Sequence, residues 1–149
     1  PSLLEINNIP YSGSDAYALG LTLNKLHTKN IAEYLGIPTP PYCIINTIED
    51  VDKAYQELDG PWILKPNYEG SSSGVAFSKT KEELLDNAKF LLKEYSQPLV
   101  CETYISGREF NVSLLYDGKN TKVIGTVEIV RKNGDSLNIF DVKASCLYH

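Results

Sequence analysis

A glycine- and serine-rich stretch between two apolar runs carries the residues best suited to bind phosphate. Residues 62–64 (WIL) lead into Lys65-Pro66, residues 69–74 read EGSSSG, and apolar residues resume at Val75. Serine hydroxyls and backbone N–H groups donate hydrogen bonds to phosphate oxygens, and Lys65 adds a cation. The pattern predicts a strand, a phosphate-binding loop and a second strand. Taken alone, however, this pattern is better explained by an ordinary flexible connection beside a solvated lysine than by a phosphate-binding loop.

Two lysines and two carboxylates elsewhere are further candidates for contacts to a nucleotide. Lys25 and Lys29 lie four residues apart on the flank of an apolar helical face. Glu102 interrupts an apolar run, and Glu109 begins the next one. A carboxylate that faces a pocket accepts hydrogen bonds from an adenine amino group or from ribose hydroxyls. The residues alone nevertheless favour solvated lysines and outward-facing strand carboxylates.

The composition argues against several classes of protein. The chain has 149 residues, 42% of them hydrophobic, which is enough for one core. Its formal net charge of -5 disfavours a nucleic-acid-binding surface, which needs a basic face. Cys43, Cys101 and Cys146 are far apart and only two histidines are present, so we expect no zinc site and a reducing cytoplasm. No apolar run is long enough to cross a membrane.

The spacing of apolar residues predicts the elements that must position these side chains. One helix is expected to end near Ile6, and another to run from about Thr22 to Leu35. A third is expected to follow a cap at Thr47, and a fourth to follow the capping box of residues 80–83. Strands are expected over residues 42–45, on both sides of the EGSSSG loop, and over residues 99–105, 110–116, 121–131 and 137–142. The last three are separated by Asp-Gly and Asn-Gly, which are typical hairpin turns. These elements predict an α+β fold in which an antiparallel sheet begins near residue 106.

Five short segments together resemble the D-alanine–D-alanine ligases of the ATP-grasp superfamily. They occur in the order and spacing of that family: residues 11–14 (YSGS), 24–29 (NKLHTK), 36–40 (GIPTP), 65–75 (KPNYEGSSSGV) and 102–109 (ETYISGRE). The resemblance covers nearly the whole chain. It implies that residues 1–21 are the tail of an amino-terminal lobe, that residues 22–105 form the central ATP-grasp subdomain, and that residues 106–149 begin the carboxy-terminal one. Walker-type and GxGxxG phosphate loops are absent from the sequence.

The resemblance also implies a phosphate site. Lys25 and Lys65 are similar to the two lysines that contact the ATP phosphates, and Lys143 is similar to a further phosphate-contacting lysine. Ser71 resembles the serine that helps to order the amino-acid site, so Ser71 and Lys143 are the expected catalytic residues. The loop from Glu69 to Val75 resembles the glycine-serine lid over the phosphates, with Glu69, Gly70, Ser71 and Ser72 as its expected nucleotide contacts.

The same comparison implies a site for the base and sugar of the nucleotide. Glu102, with the backbone of Thr103 and Ile105, resembles the adenine-binding hinge, and Glu109 resembles the residue that holds the ribose hydroxyls. The magnesium ligands of the family would follow His149, so no metal ligand is expected in this chain and Mg²⁺ would be bound outside it.

The implied reaction is ATP-dependent formation of a carbon–nitrogen bond through an acyl phosphate, in peptidoglycan precursor synthesis. The implied partners are ATP and small amino acids, with no nucleic acid and no membrane, and a homodimer of the intact protein stays open. The expected location is the cytoplasm. The chain starts at Pro1, contains no methionine and stops at His149. We therefore expect a piece of a longer ligase that is inactive by itself.

The sequence departs from the family pattern at two positions, the first of which leaves the second substrate open. Ala144 stands where a tyrosine is usual, and Asn24 stands where an aspartate is usual. Two alternatives remain from the sequence: an ATP-grasp ligase with another pair of substrates, and a nucleotide-binding module without catalytic activity.

Overall fold

The structure, a computed structural model, describes residues 1–130. These residues fall into two compact units, Pro1–Tyr104 and residues 105–130. The strand predicted over residues 137–142 lies outside the described residues, as do Lys143 and Ala144.

A four-stranded antiparallel sheet forms the centre of the first unit. Its strands are β1 (Tyr42–Ile45), β2 (Trp62–Pro66), β3 (Ala76–Ser78) and β4 (Leu99–Thr103), in the order β1-β4-β2-β3. Glu102 on β4 is in register with Tyr42 on β1 and with Ile63 on β2. Glu102 is therefore flanked by a strand on each side, rather than lying on an exposed edge of the sheet.

Two helices cover one face of this sheet. Five helices lie within the described residues: α1 (Ser2–Ile6), α2 (Ala16–Leu23), α3 (Lys25–Tyr34), α4 (Asp50–Glu57) and α5 (Lys81–Tyr95). The apolar faces of α4 and α5 pack on the strands in one core, formed by Ile45, Val51, Ala54, Leu58, Trp62, Leu64, Leu84, Ala88, Leu91, Leu99 and Cys101. Side chains of a strand alternate between its two faces. Because Leu99 and Cys101 enter the core, Glu102 lies on the opposite face.

The helix predicted from Thr22 to Leu35 is wrong at its start. The chain leaves the helical conformation at Asn24, with φ -81° and ψ 102°, so that α2 ends and α3 begins there. The Asn24 side-chain oxygen accepts a hydrogen bond from the His27 amide, at 3.1 Å, and caps α3. Apolar periodicity continues across the break and hides it. The break places Lys25 at the first residue of α3.

The other helix starts were predicted with mixed success. The cap at Thr47 is wrong, because α4 begins at Asp50, whose carboxylate accepts the amides of Asn46 and Thr47 at 2.9 Å each. The start of α5 is confirmed, since the Thr80 hydroxyl accepts the Glu83 amide at 3.2 Å.

The second unit is a hairpin of two antiparallel strands. β5 (Glu109–Tyr116) pairs with β6 (Thr121–Ile129), with an irregularity at Ser113 and Leu114. The Asp117 carboxylate accepts the amides of Lys119 and Asn120, at 3.0 and 2.9 Å, and closes the turn. The predicted Asp-Gly hairpin is confirmed. Across residues 1–130, no helix has the length and apolar character that a membrane crossing requires.

Candidate functional site

Three charged side chains form a cluster on the sheet face opposite the core. We call Lys29, Lys65 and Glu102 the charge cluster. Its centre is the carboxylate of Glu102, a residue that is 7% exposed. Glu102 Oε1 lies 2.7 Å from Lys29 Nζ, and Glu102 Oε2 accepts a hydrogen bond from Lys65 Nζ. Both carboxylate oxygens are thus bound by ammonium groups from different elements, α3 and β2.

The cluster fixes the charge state of Glu102. Burial acts to raise the pKa of the Glu102 carboxyl, because it removes water from the charged form. The positive charges of Lys65 and Lys29, and their hydrogen bonds to the carboxylate, outweigh burial. They hold the pKa of Glu102 below its ordinary value. Glu102 is therefore ionised near neutral pH, although it is almost fully buried.

Lys25 reaches the base of the glycine-serine loop from the start of α3. Its Nζ donates hydrogen bonds to the carbonyl oxygens of Pro66, at 2.9 Å, and of Glu69. Burial and the neighbouring charge of Lys65 lower the pKa of the Lys25 ammonium. Lys65 directly precedes Pro66, whose carbonyl Lys25 binds, so the two lysines lie at the same end of the loop. An anion placed there would relieve their repulsion.

Asn67 joins the loop to the start of α3. Its side-chain oxygen accepts the amide of Leu26 at 3.0 Å, and its side-chain nitrogen donates to Asn24 Oδ1 at 3.0 Å. Its carbonyl oxygen accepts the Lys25 amide at 3.1 Å. Asn67 is 3% exposed, so these bonds are made away from water. The asparagine at position 24 therefore has two uses, as a cap of α3 and as an acceptor for Asn67.

The loop itself is held by residues at the end of α5. Ser73 Oγ lies 3.1 Å from the Tyr95 hydroxyl, and Gln97 donates to Glu69 Oε1 at 3.0 Å. The Gln97 side-chain oxygen accepts the Tyr68 amide at 2.6 Å. Gly74 has φ +68° and packs so closely on Pro66 and the Tyr95 ring that an added Cβ would lie 2.6 to 2.8 Å from their atoms. Contacts with these residues therefore hold both ends of the loop in place.

The two serines expected to face phosphate lie in the most unusual backbone of the loop. Ser71 and Ser72 have φ of 52° and 63°, the left-handed conformation that costs a residue other than glycine about 1–2 kcal/mol. Ser71 is exposed and Ser72 is half-buried. Strain of this kind is concentrated at ligand-binding loops.

The remaining predicted residues are distributed over both units. Thr103 is the last residue of β4, and its amide donates to the Pro41 carbonyl at 3.1 Å. Ile105 is exposed and Glu109 begins β5, and both belong to the second unit. Within residues 1–130, no group of three or more His, Cys, Asp or Glu side chains is arranged to hold a metal ion.

The sequence alone did not identify four residues that organise this site. Lys29 was interpreted as solvated, yet it is 7% exposed, and Asn67, Tyr95 and Gln97 were not singled out. The sequence signal available for Lys29 was its spacing, one helical turn after Lys25. Nothing local distinguishes the other three, because each is hydrogen-bonded to residues that are 22 to 43 positions away.

Comparison with known proteins identifies relatives of this chain. The family described as "D-ala D-ala ligase C-terminus" matches residues 31–146. The D-alanine–D-alanine ligase of Pseudomonas fluorescens is 43% identical over 115 residues, which are 77% of this chain and 35% of that protein. The D-alanine–D-alanine ligase of Geobacter sulfurreducens is 36% identical over 131 residues, 88% of this chain and 40% of that protein. The chain thus spans about two fifths or less of the length of these relatives.

Solved structures resemble the chain in fold as well. D-alanyl-alanine synthetase A from Vibrio cholerae superposes with a TM-score of 0.76 at 25% identity, covering 87% of this chain and 40% of that one. D-alanine–D-alanine ligase from Bacillus anthracis, complexed with ATP, gives 0.62 at 27% identity, covering 88% and 48%. The biotin carboxylase domain of 2-oxoglutarate carboxylase from Hydrogenobacter thermophilus, in complex with MgADP, gives 0.63 at 25% identity, covering 73% and 26%.

Proposed function

Because the chain belongs to the family of D-alanine–D-alanine ligases, we propose that it is the ATP-binding portion of an ATP-dependent ligase that joins a carboxylate to an amine. Its fold is the α+β ATP-grasp fold predicted from the sequence. The proposed reaction starts with attack of an amino-acid carboxylate on the γ-phosphoryl group of ATP, which gives an acyl phosphate. The amine of a second amino acid then displaces phosphate. D-alanine is the proposed substrate in both positions, for peptidoglycan precursor synthesis.

The observation that carries the proposal is the convergence of Lys25 and Lys65 at the base of the glycine-serine loop. Lys25 Nζ is bonded to loop carbonyls, and the charge of Lys65 lowers the pKa of Lys25. In a chain of net charge -5, two neighbouring cations beneath a loop rich in hydroxyl and amide donors suit a polyphosphate. The Bacillus anthracis ligase, which binds ATP, has the same fold.

The predicted residues keep their proposed roles in this function. Lys25 and Lys65 would stabilise the charge that develops on the phosphoryl group during transfer, and Ser71 and Ser72 would donate to phosphate oxygens. Glu102 would orient Lys65 and face the adenine, next to the backbone of Thr103 and Ile105. Glu109 would bind the ribose hydroxyls. Lys143 would add a third cation, and it lies outside the described residues.

The proposed reaction requires magnesium, but we assign no magnesium ligand among residues 1–130. When bound, Mg²⁺ neutralises phosphate charge and orients the phosphates for transfer. No cluster of acidic side chains in the described part of the chain fits it, so we assign none of these residues to the ion. Its ligands are proposed to follow His149.

One alternative is supported by a specific observation. A solved structure described as a biotin carboxylase domain in complex with MgADP covers 73% of this chain. A ligase with another pair of substrates is therefore kept as the alternative, and Ala144 leaves the second substrate open. Amino acids as substrates, a homodimer and a cytoplasmic location remain proposals for the intact protein.

Phosphate release from Mg-ATP by the intact gene product tests the reaction. D-alanine, D-serine, D-lactate and L-amino acids are offered in turn. Release that depends on D-alanine would support the ligase, and the other acceptors would rank the second substrate. If folded protein binds ATP but releases no phosphate with any of them, another substrate pair or a non-catalytic module becomes the better proposal.

Nucleotide binding by the chain itself tests the site. Lys65→Ala should weaken binding of ATP at least tenfold, because a charge-assisted contact to phosphate contributes about 1.5–3 kcal/mol. Lys53→Ala is the matched control, since Lys53 is exposed and pairs only loosely with Glu57, at 4.0 Å. Unchanged affinity in Lys65→Ala, measured by calorimetry, would contradict the phosphate assignment.

A further inference from the structure

Lys29 uses all of its hydrogen-bonding capacity inside the protein. Its Nζ donates to Thr39 Oγ1 at 2.6 Å and to the Pro40 carbonyl at 3.0 Å, and it lies 2.7 Å from Glu102 Oε1. An ammonium group has three N–H donors, and these three acceptors take all of them. Lys29 Nζ also lies 4.5 Å from the centre of the Tyr42 ring. Lys29 therefore has no donor left for a phosphate, in contrast to a ligand lysine.

The partners of Lys29 come from three separate parts of the first unit. Lys29 lies on α3, Thr39 and Pro40 lie in the segment before β1, and Glu102 lies on β4. The segment that supplies Thr39 and Pro40 contains three prolines at positions 38, 40 and 41, which restrict its backbone. Lys29 is thus held at a defined place by a stiff segment, and it presents its charge to one oxygen of Glu102.

The orientation of Glu102 decides where Lys65 points. Glu102 Oε1 is bonded to Lys29, so that Oε2 is the oxygen left to accept from Lys65. The Lys65 side chain is 31% exposed, against 8% for that of Lys29, so Lys65 is the member of the charge cluster that can reach a ligand. Buried charges are retained only when they are well paired, and a chain of three alternating charges is paired throughout.

We propose that Lys29 is a positioning residue of the nucleotide site, which fixes the Glu102 carboxylate so that Glu102 in turn aims the Lys65 ammonium at the phosphates. This inference rests on the proposed nucleotide-binding function. Lys29 itself does not touch the nucleotide and acts through Glu102.

Loss of Lys29 would change the titration of Glu102. The groups that face its carboxylate are Lys29 and Lys25 from α3, Lys65 from β2 and Tyr42 from β1, with Cys101 beside it on β4. Without Lys29, burial still disfavours the carboxylate, while one of its two bonded cations is gone. The Glu102 pKa would then rise, and protonation at mildly acidic pH would release Lys65.

The test is ATP binding by Lys29→Met, which keeps the length and apolar stem of the side chain. We expect binding about tenfold weaker than that of the unsubstituted protein at pH 7.5, with a difference that grows as the pH falls to 5.5. Binding by the unsubstituted protein should change much less over this range. A structural clamp alone would lower stability but would not create a new pH dependence of binding.

Lys81→Met is the matched control. Lys81 also pairs with a carboxylate, Asp52 at 2.7 Å, and lies 5.3 Å from the centre of the Tyr55 ring. This trio has the same functional groups as Lys29, Glu102 and Tyr42, but it is more exposed and lies on α4 and α5, outside the proposed site. The ATP affinity of Lys81→Met should stay within twofold of that of the unsubstituted protein at every pH.

Two further variants keep the inference testable if Lys29→Met does not fold. Thr39→Val removes one acceptor of Lys29 and should weaken ATP binding about threefold. In a Glu102→Gln background, Lys29→Met should have much less effect than in the unsubstituted protein, because the residue through which it acts is already neutral.

The outcomes separate this inference from the function on which it rests. If Lys29→Met and Thr39→Val bind ATP as tightly as the unsubstituted protein while Lys65→Ala does not, the role of Lys29 is wrong and the nucleotide site stands. Additive effects of Lys29→Met and Glu102→Gln would also overturn it. If the folded, unsubstituted protein binds no nucleotide, the proposed function fails, and this inference fails with it.

Discussion

Glu102 is the residue on which the electrostatics of the site depend. It is buried and ionised, and it is bonded to one lysine from α3 and to another from β2. Glu102 is flanked by β1 and β2 in the register and is 7% exposed, so water has little access to its carboxylate. The buried carboxylate therefore contributes both to the stability of the sheet and to the placement of Lys65.

Glu102→Gln should lower the free energy of unfolding by about 3 kcal/mol at pH 7, because breaking a buried ion pair leaves Lys29 without its counter-charge. The folded-state pKa of Glu102 lies below its ordinary value of 4.5. The contribution of the carboxylate is therefore present above that pH and is lost as the pH falls through the folded-state pKa. Urea unfolding over a series of pH values should show the gap between the two proteins narrowing below about pH 4.5.

Glu128→Gln is the control for this prediction. Glu128 makes a two-bond pair with Arg108 on the hairpin, at 2.7 and 2.8 Å, but the pair is exposed. Exposed ion pairs contribute little to stability. Equal losses in the two variants, or a gap for Glu102→Gln that does not change with pH, would show that Glu102 is not the buried, ionised group described above.

The glycine-serine loop is an element whose conformation is set by α5 and β2. Tyr95 and Gln97, at and just after the end of α5, bond to Ser73, Tyr68 and Glu69. Pro66 at the end of β2 and the Tyr95 ring leave space for hydrogen alone at Gly74. These contacts restrict the loop, and a loop that is already restricted loses less entropy when a ligand binds.

Gly74→Ala should unseat this loop. The backbone at position 74 has φ +68°, which costs alanine about 1–2 kcal/mol, and the new methyl group would collide with Pro66 and Tyr95. We expect a melting temperature at least ~4 °C lower and weaker ATP binding, measured by calorimetry.

Gly70→Ala is the matched variant for stability. An added Cβ at Gly70 meets no atom within 4 Å, so the melting temperature should stay close to that of the unsubstituted protein. If Gly74→Ala is as stable as Gly70→Ala, the close packing of the loop on Pro66 and Tyr95 does not hold in solution.

At the scale of the whole described structure, residues 1–130, the packed core belongs to the first unit. Residues such as Leu64, Leu84 and Leu99 are 0% exposed, whereas apolar residues of the hairpin, such as Leu114 at 61%, face outward within the described structure. Stability should therefore be distributed unevenly along the chain, highest in β2 and β4 and lowest in β5 and β6.

Leu64→Ala should lower the free energy of unfolding by about 2–5 kcal/mol, because it leaves a cavity between the sheet and its helices. Leu114→Ala should change it by less than about 0.5 kcal/mol. Hydrogen exchange followed by mass spectrometry should show the slowest amides in β2 and β4 of the unsubstituted protein. Equal protection of β5 and β6 would contradict this distribution.

Local patterns were sufficient for much of the fold. β1 has the predicted bounds, the strand, loop and strand around EGSSSG are confirmed, and Thr80 caps its helix as expected. Each of these features depends on residues within a few positions of one another, where composition and spacing act directly. The family could be identified for the same reason, since its motifs are short runs at regular separations.

The charge state and orientation of the site depended on the tertiary structure. Lys29 looked solvated because its partners, Thr39, Pro40 and Glu102, lie 10 to 73 positions away, and only the folded sheet brings them together. The break at Asn24 was hidden because its partner Asn67 is 43 positions away. Burial, and the pairing that burial requires, arise from contacts between distant residues. The sequence therefore indicated the candidate lysines, while the fold decided which of them is buried against Glu102 and which is partly exposed.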